Sequence, residues 1–489
     1  MLFNSLHFAI FFPIVTTVYF ALPHRFRWAW LLGASYYFYM AWVPIYVLLL
    51  LTSTVVDYFA AILIETAPTP RRRRWYLYLS LLTNLGILFT FKYFNFFADS
   101  LQEVFNFFSL PYHTPASRLL LPVGISFYTF QELGYVIDVY RGKIKAERHP
   151  GYFALYVTFF PQLVAGPIER ASNLLPQFRE QHSFDYHRVT DGLKLMMWGL
   201  FKKVVIADRA GIIAAYVFAN PQSHNGPGLF LATFLVSWQI YCDFSGYSDI
   251  AIGGAQVMGF RLMQNFDRPF FSRSFPELWR RWHISLMTWF RDYLFIPLGG
   301  SRGSVFRVCL NVMLVFTICG LWHGASWTFV IWGATMGACT VASFLTRSLR
   351  KRVVEAIGLS KFPRIHHAFQ ISMVYGMFMV LGVPFRAESM SDLLYILPHF
   401  FTGWLDPLRG MKFDDFIIGL GMPRVEEFHV LAVALVILIA AQVMQGKGPI
   451  RPRLSRKPLW MRWSLYYAAA LVILCYGMFN NSPFIYFQF

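Results

Sequence analysis

Apolar residues in this chain run in long blocks, and charges gather in the short gaps between them. A membrane-crossing helix needs about 20 predominantly apolar residues. Candidate blocks lie at 5–22, 28–42, 44–64, 75–98, 119–140, 151–168, 192–218, 228–260, 305–319, 322–345, 367–384, 428–445 and 461–478. The pattern predicts an all-α polytopic integral membrane protein with roughly ten to thirteen membrane segments. Blocks 28–42 and 151–168 are short enough to be re-entrant or tilted. The first block lacks a basic leader region and reads as a first span, not a cleaved signal. No internal repeat supports an inverted-repeat transporter. Residues 1–489 read as one membrane domain, with no soluble appendage longer than a loop.

Composition agrees. Of 489 residues, 56% are hydrophobic and only 14% charged, against roughly 25% charged in a soluble domain. The net charge of +18 lies largely in connectors such as "RRRR" (71–74), "RGKIKAER" (141–148) and "KGPIRPRLSRKP" (447–458). This is the bias of cytoplasmic loops; a nucleic-acid surface would gather its charges on one soluble domain. Connectors 23–27, 65–74 and 141–149 carry two, four and four Lys or Arg, whereas the turn near Val43 and the segment 99–117 carry none. The alternation places the three basic connectors in the cytoplasm and the N-terminus outside. Cys242, Cys309, Cys319, Cys339 and Cys475 all sit in apolar blocks without C-x-x-C spacing, which argues against a disulfide framework or a metal site.

Ionisable residues inside apolar blocks are expensive and mark candidate chemistry. Three stretches qualify. In "YCDFSGYSDIAIG" (241–253), Asp243 and Asp249 are six residues apart, about 240° around a helix, too far for one paired-carboxylate site. Asp243 shares a face with Tyr247, and Ser245 with Asp249. The patch either lines a cavity or braces neighbouring helices, and bracing is the better reading of the residues alone. In "SFPELWRRWHISLMTWFRDYLFIPLGG" (274–300), Ser274 and Glu277 form a capping box that starts a helix. Glu277 and Arg281 then stand at i, i+4, Trp279 and His283 share a face, and Arg280 and His283 are i, i+3 neighbours. Such a helix lies at the membrane interface or walls a polar site where Arg280 or Arg281 meets an anion such as phosphate.

The third stretch is "CGLWHGASWTFVIWG" (319–333). No Asp, Glu, Lys or Arg occurs from Val308 to Leu345, and His323 stands alone among tryptophans, glycines and aliphatics. Burial favours a neutral imidazole, which can accept a proton as a general base. A satisfied core histidine is the competing reading. Gly320 and Gly324 allow close approach of backbone or ligand, and Trp322, Ser326 and Trp327 add polar atoms beside the ring. The chain has no Walker A loop, G-x-S-x-G elbow or H-E-x-x-H, and His366–His367 reads as a solvated loop.

Together these stretches resemble the membrane-bound O-acyltransferase family, and most closely its AlgI-type branch, which acetylates exported polysaccharides such as alginate. "LLPVGISFYTFQELGYVIDVYRG" (120–142), "FFPQLVAGPIER" (159–170), "GLFKKVVIAD" (199–208), "VPFRAESM" (383–390) and the ending "FIYFQF" (484–489) carry the same resemblance. The best-matching core is about 118–390, and 391–489 reads as C-terminal membrane helices and an aromatic tail. The resemblance implies a ring of transmembrane helices around a central tunnel. It implies a catalytic His323 and a second site histidine, His283, with a donor-binding or structural role equally compatible for the latter. Trp282, Arg280, Arg281, Trp322, Asp243, Tyr247, Asp249 and Ser326 are the candidate lining residues. The expected reaction moves acetyl from a cytoplasmic thioester, acetyl-CoA, to an acceptor on the outer face, with no tightly bound cofactor and no metal. The resemblance further implies a bacterial inner-membrane location. It implies a periplasmic or membrane-anchored acetyltransferase partner on the outer face, which the aromatic tail either contacts or, as an interfacial anchor, does not. The competing functions are D-alanyl transfer to teichoic acid, as in the DltB branch, and a transporter or a non-catalytic scaffold for polysaccharide secretion.

Overall fold

The computed structural model describes residues 1–111, 120–405, 412–479 and 484–485, and among them there are helices and connecting turns but no strands. Seven helical stretches among the described residues are long and apolar enough to cross a membrane, from Pro44–Thr66 and Pro70–Phe107 to Val425–Gln445 and Leu459–Tyr476. Other apolar blocks take different forms. Block 151–168 is a short helix, Pro150–Thr158, followed by a buried turn segment. Block 192–218 contains a π-helical turn at Phe201–Ala207. All five cysteines are free thiols.

The chain forms two compact units. Of the described residues, the first comprises those within 1–193 and 251–263, and the second those within 194–250 and 264–485. In the first unit, helices Val47–Thr66, Pro70–Leu88 and Ile125–Tyr140 pack around buried polar groups. Asp57 accepts from Ser80 Oγ at 2.5 Å and from Asn84 Nδ2 at 2.8 Å, and Thr54 Oγ1 donates to Glu132 Oε1 at 3.1 Å. Buried polar side chains need such partners. In the connector after Tyr140, Glu147 accepts two hydrogen bonds from Arg179 at 2.6 and 2.7 Å and one from the His149 amide at 2.8 Å. Burial pushes the Glu147 carboxyl up, but these donors outweigh it and hold the pKa below its ordinary value.

In the second unit, Val305–His323 and Trp327–Leu345 form a tight helical hairpin. Glycine permits the approach: a Cβ on Gly320 would lie 2.3 Å from the Phe329 carbonyl oxygen, and one on Gly333 would lie 2.3 Å from that of Phe316. His323 closes the first helix of the hairpin and is not part of the second, into which the apolar block 322–345 had grouped it. The other close crossing joins the Phe201–Ala207 region to the long helix Gly226–Met258. A Cβ on Gly199 would meet the Gly246 carbonyl oxygen at 2.5 Å. His366 and His367 lie in the first turns of helix Pro363–Leu381, not in a loop, and His367 Nε2 is 3.2 Å from an Arg273 guanidinium nitrogen.

Candidate active site

The second unit brings the two singled-out histidines into one pocket. Their ring centroids are 6.4 Å apart, and His283 and His323 are only 1% and 3% exposed. Aromatic rings form the walls. His323 meets Trp322, Trp332 and Phe385 edge-on at 4.9, 5.2 and 5.5 Å, and His283 meets Phe244 edge-on at 4.5 Å. Trp282 stacks on Phe270 at 6.0 Å and lies 6.2 Å from Tyr241. Beside these walls is a cleft of about 420 Å³, its open mouth included, lined by Thr233, Val236, Trp282, Trp332, Phe378 and Phe385 among others. The cleft thus shares two rings with the wall of His323.

His283 reaches this pocket by a route that helical periodicity does not predict. The capping box is present: Ser274 Oγ accepts from the Glu277 amide at 3.3 Å, and Glu277 pairs with Arg281 at 2.7 Å. The helix then stops at Arg281. Trp282 is extended and His283 adopts a left-handed conformation, φ 42° and ψ 53°, before a second short helix, Ile284–Phe290. Trp279 and His283 consequently do not share a continuous helical face. A bulky residue in the left-handed region costs of order 1–3 kcal/mol and persists only where its surroundings fix it.

Asn265 does the fixing. Its carbonyl oxygen accepts from the Ile284 amide at 2.9 Å, and its Oδ1 accepts from Ser285 Oγ at 2.9 Å and the Ser285 amide at 3.3 Å. The Asp267 amide donates to the Arg281 carbonyl at 2.9 Å. These bonds satisfy backbone groups released at the helix break. His283 Nδ1 lies 3.1 Å from the same Asn265 Oδ1, and Asn265 Nδ2 donates to Ser248 Oγ at 3.2 Å. With Oδ1 as acceptor, Nδ1 carries the proton and the imidazole lone pair is on Nε2. His283 lies outside the seven candidate spans, and burial pushes its pKa down, toward the neutral form. Asn265 was not identifiable from sequence, because it acts across 18 residues without a motif.

The remaining candidates fall in different places. Trp282 and Trp322 belong to the pocket. Arg281 is paired with Glu277, and Arg280 is exposed. Ser326 precedes helix Trp327–Leu345 and bonds Thr328 Oγ1 at 2.8 Å. Asp243 and Asp249 enter ion pairs. Lys203 Nζ lies 2.8 Å from Asp243 and 2.9 Å from Asp208, and Lys202 Nζ lies 2.9 Å from both Asp249 and Ser245 Oγ. The shared face of Ser245 and Asp249 is thus real, and its partner is a lysine that the apolar pattern did not single out. Of the aromatic tail, Phe484 and Ile485 are buried, and the rest lies outside the described residues. The Ile485 amide donates to Asp243 at 2.7 Å, and the Phe484 ring packs 5.0 Å from Tyr247 and 5.5 Å from Phe244. These two residues are packed inside the second unit, beside the wall of His283.

The sequence pattern of the membrane-bound O-acyltransferase family matches residues 148–385, which include both histidines. The chain belongs to the membrane-bound O-acyltransferases, as the extent of likeness to their members establishes. Within the family it falls in the AlgI-type branch. It is 40% identical to the probable alginate O-acetylase AlgI of Pseudomonas aeruginosa over 80% of this chain and 73% of that one. It is 35% identical to the protein of that name in Pseudomonas putida over the full length of both. It is also 37% identical to the peptidoglycan O-acetyltransferase of Helicobacter pylori over 72% of each chain. The protein is therefore a multi-pass membrane O-acyltransferase.

Proposed function

We propose that this acyltransferase carries acetyl from cytoplasmic acetyl-CoA toward the O-acetylation of an exported polysaccharide such as alginate, with His323 as general base. The observation that carries this reading is the pairing of His323 and His283 in one aromatic-walled pocket beside an open cleft. The likeness to alginate O-acetylases supplies the substrate class. In the reaction, an acceptor hydroxyl oxygen attacks the thioester carbonyl carbon as its proton passes to His323. The carbon–sulfur bond then breaks, and the departing thiolate recovers a proton. General-base help of this kind is worth about 10²–10⁴-fold.

His283 and Trp282 line the donor side. The Asn265-held tautomer leaves His283 Nε2 able to accept a proton in transit. Exposed Arg280, with Arg281 behind it, attracts donor phosphates. Aromatic rings wall both histidines, which limits loss of acetyl to water. The lysine-paired Asp243 and Asp249 hold helices in register. On this reading the N-terminus faces outward across a bacterial inner membrane, and a partner on the outer face completes transfer to the polymer.

The test is reconstitution in liposomes with labelled acetyl-CoA sealed inside. Label emerging on an outer-face acceptor, and lost with His323→Ala at equal protein abundance, is the expected result. Label that emerges equally with His323→Ala removes the histidine from the chemistry. Transfer from a D-alanyl carrier protein in place of acetyl-CoA overturns the donor.

A further inference from the structure

Helix Arg347–Ala356 is held by little of the protein it belongs to. None of its residues is buried, and only Val354 is half-buried. Arg350 Nη2 donates back to the Ser343 carbonyl at 2.6 Å, which fixes where the helix turns away from Trp327–Leu345. Beyond it, Gly358 takes φ 72° and Leu359–Lys361 makes one tight turn before Pro363–Leu381 begins. Both flanking helices are long and apolar enough to cross a membrane, so the segment between them is kept at the membrane surface.

Its exposed side chains are ordered by type. Leu349, Val353 and Ile357 are 61%, 48% and 66% exposed and recur every four residues. At about 100° per residue they form one apolar row, with Arg350 and Arg352 to either side and Arg347 and Lys351 behind. Phe362 and Ile365, just beyond, are exposed as well. From 347 to 364 there are six Lys or Arg and one acid, Glu355, which stands 3.8 Å from Lys351 on an exposed side chain. The exposed row on helix Phe94–Phe107 is charged the other way. Phe97, Leu101 and Val104 there accompany Asp99 and Glu103, and no Lys or Arg occurs from 93 to 117. An apolar row needs a cover and the cations beside it need anions; the surface of an anionic bilayer supplies both at once.

We propose that Arg347–Ile357 is a docking surface for anionic phospholipid, with the apolar row sunk between headgroups and Arg347, Lys351 and Arg352 on their phosphates. By the bias of basic connectors the helix lies on the cytoplasmic leaflet. Charge alone would suit a free phosphate equally; the apolar row, tethered between two spans, selects lipid. Docking also bears on the site. His367, in the first turns of the next helix, accepts from Arg273 at 3.2 Å, and the Arg273 amide donates to Glu277 at 2.9 Å. Glu277 in turn pairs with Arg281 on the helix that leads to His283. A connector fixed on lipid steadies that chain of contacts.

The test is hydrogen exchange of the full-length protein in nanodiscs of phosphatidylcholine with and without phosphatidylglycerol. Amides of 347–357 are expected to exchange about tenfold more slowly when phosphatidylglycerol is present. The triple variant Arg347→Gln, Lys351→Gln, Arg352→Gln should lose that lipid dependence, and Leu349→Ser with Val353→Ser should lose the protection in both lipids. Neutralising another basic connector, by Arg71→Gln, Arg72→Gln and Arg74→Gln, should leave it unchanged. Unaltered exchange in Val305–His323 shows that each variant is folded. Equal exchange of the wild type in the two lipids overturns the proposal, as does a phosphatidylglycerol effect that survives the triple variant. The same protection produced by inositol hexakisphosphate in pure phosphatidylcholine overturns it too, because a free anion is then what binds. On the acyl-transfer reading above, turnover should rise severalfold with phosphatidylglycerol in the wild type and not in the triple variant. Turnover indifferent to lipid while the protection persists overturns the coupling to the His283 helix. The exchange measurement does not depend on that reading, so the two failures are distinguishable.

Discussion

Adjacent residues on one helix face two differently built interiors. Asp243 turns to a cluster where lysine and carboxylate stand in ion-pair contact, Lys203 lying between Asp243 and Asp208 at 2.8 and 2.9 Å. Phe244 turns to the pocket of His283 and His323, whose walls are rings. Both regions are buried and both hold ionisable groups. In the first, each charge is met by one of opposite sign, so it fixes helices and has little to give a substrate. In the second, two imidazoles are walled by aromatic rings, and one of them is held by the Asn265 amide. Burial alone does not separate the two regions; the chemistry of the surrounding wall does.

The largest effect should follow from the histidine side. His323→Ala is expected to lower acetyl transfer by about 10²–10⁴-fold while the protein still accumulates in the membrane. Assay of transfer against immunoblotted abundance checks it. On the other side, Lys203→Met strands the Asp243 and Asp208 carboxylates, and breaking a buried pair costs roughly 3–5 kcal/mol. The expected sign is a lower thermal midpoint and reduced abundance, with turnover per folded molecule little changed. A stable, fully folded Lys203→Met protein without activity would erase the contrast.

Asn265→Ala tests the join between positioning and chemistry. It removes the acceptor for Ser285 and His283, which should cost about 1–3 kcal/mol of stability. It should also lower kcat by roughly tenfold, about 1.4 kcal/mol in the barrier, and shift the pH–rate profile, with KM for the donor unchanged. An unaltered pH profile would make Asn265 a turn residue alone.

The smallest effect concerns the first unit. Because the Glu147 carboxylate is held below its ordinary pKa, its contribution to stability is present above the unfolded pKa of about 4.3 and is lost as pH falls through the folded value. Thermal midpoints from pH 7 down to 3 should show this acid loss in the wild type and less of it in Glu147→Gln. The exposure of Arg179 keeps the effect small.

Local features are legible in the sequence. The Ser274 cap and the Glu277–Arg281 pair arise within one turn, where sequence spacing and spatial distance coincide. The isolation of His323 was visible because its neighbours along the chain carry no charge. What remained hidden depends on distant partners. Nothing in "RRWHIS" contains a proline or glycine to announce a break, since Asn265 imposes it from another segment. Likewise Lys202 and Lys203 are two cations in an apolar stretch, and it is the Gly199–Gly246 crossing that brings them to Asp249 and Asp243.

The left-handed backbone at His283 has a consequence for how this position drifts over generations. Asparagine adopts that conformation more readily than histidine, and glycine more readily still. A His283→Asn replacement relieves backbone strain even as it discards the imidazole and its ring contact with Phe244, so the backbone itself offers no protection for the residue. Selection for thermal robustness alone, with the polymer modification not required, should therefore empty this position of histidine early. The thermal midpoint of His283→Asn, equal to or above that of the wild type, is the sign that position 283 is held by function against the preference of its own backbone.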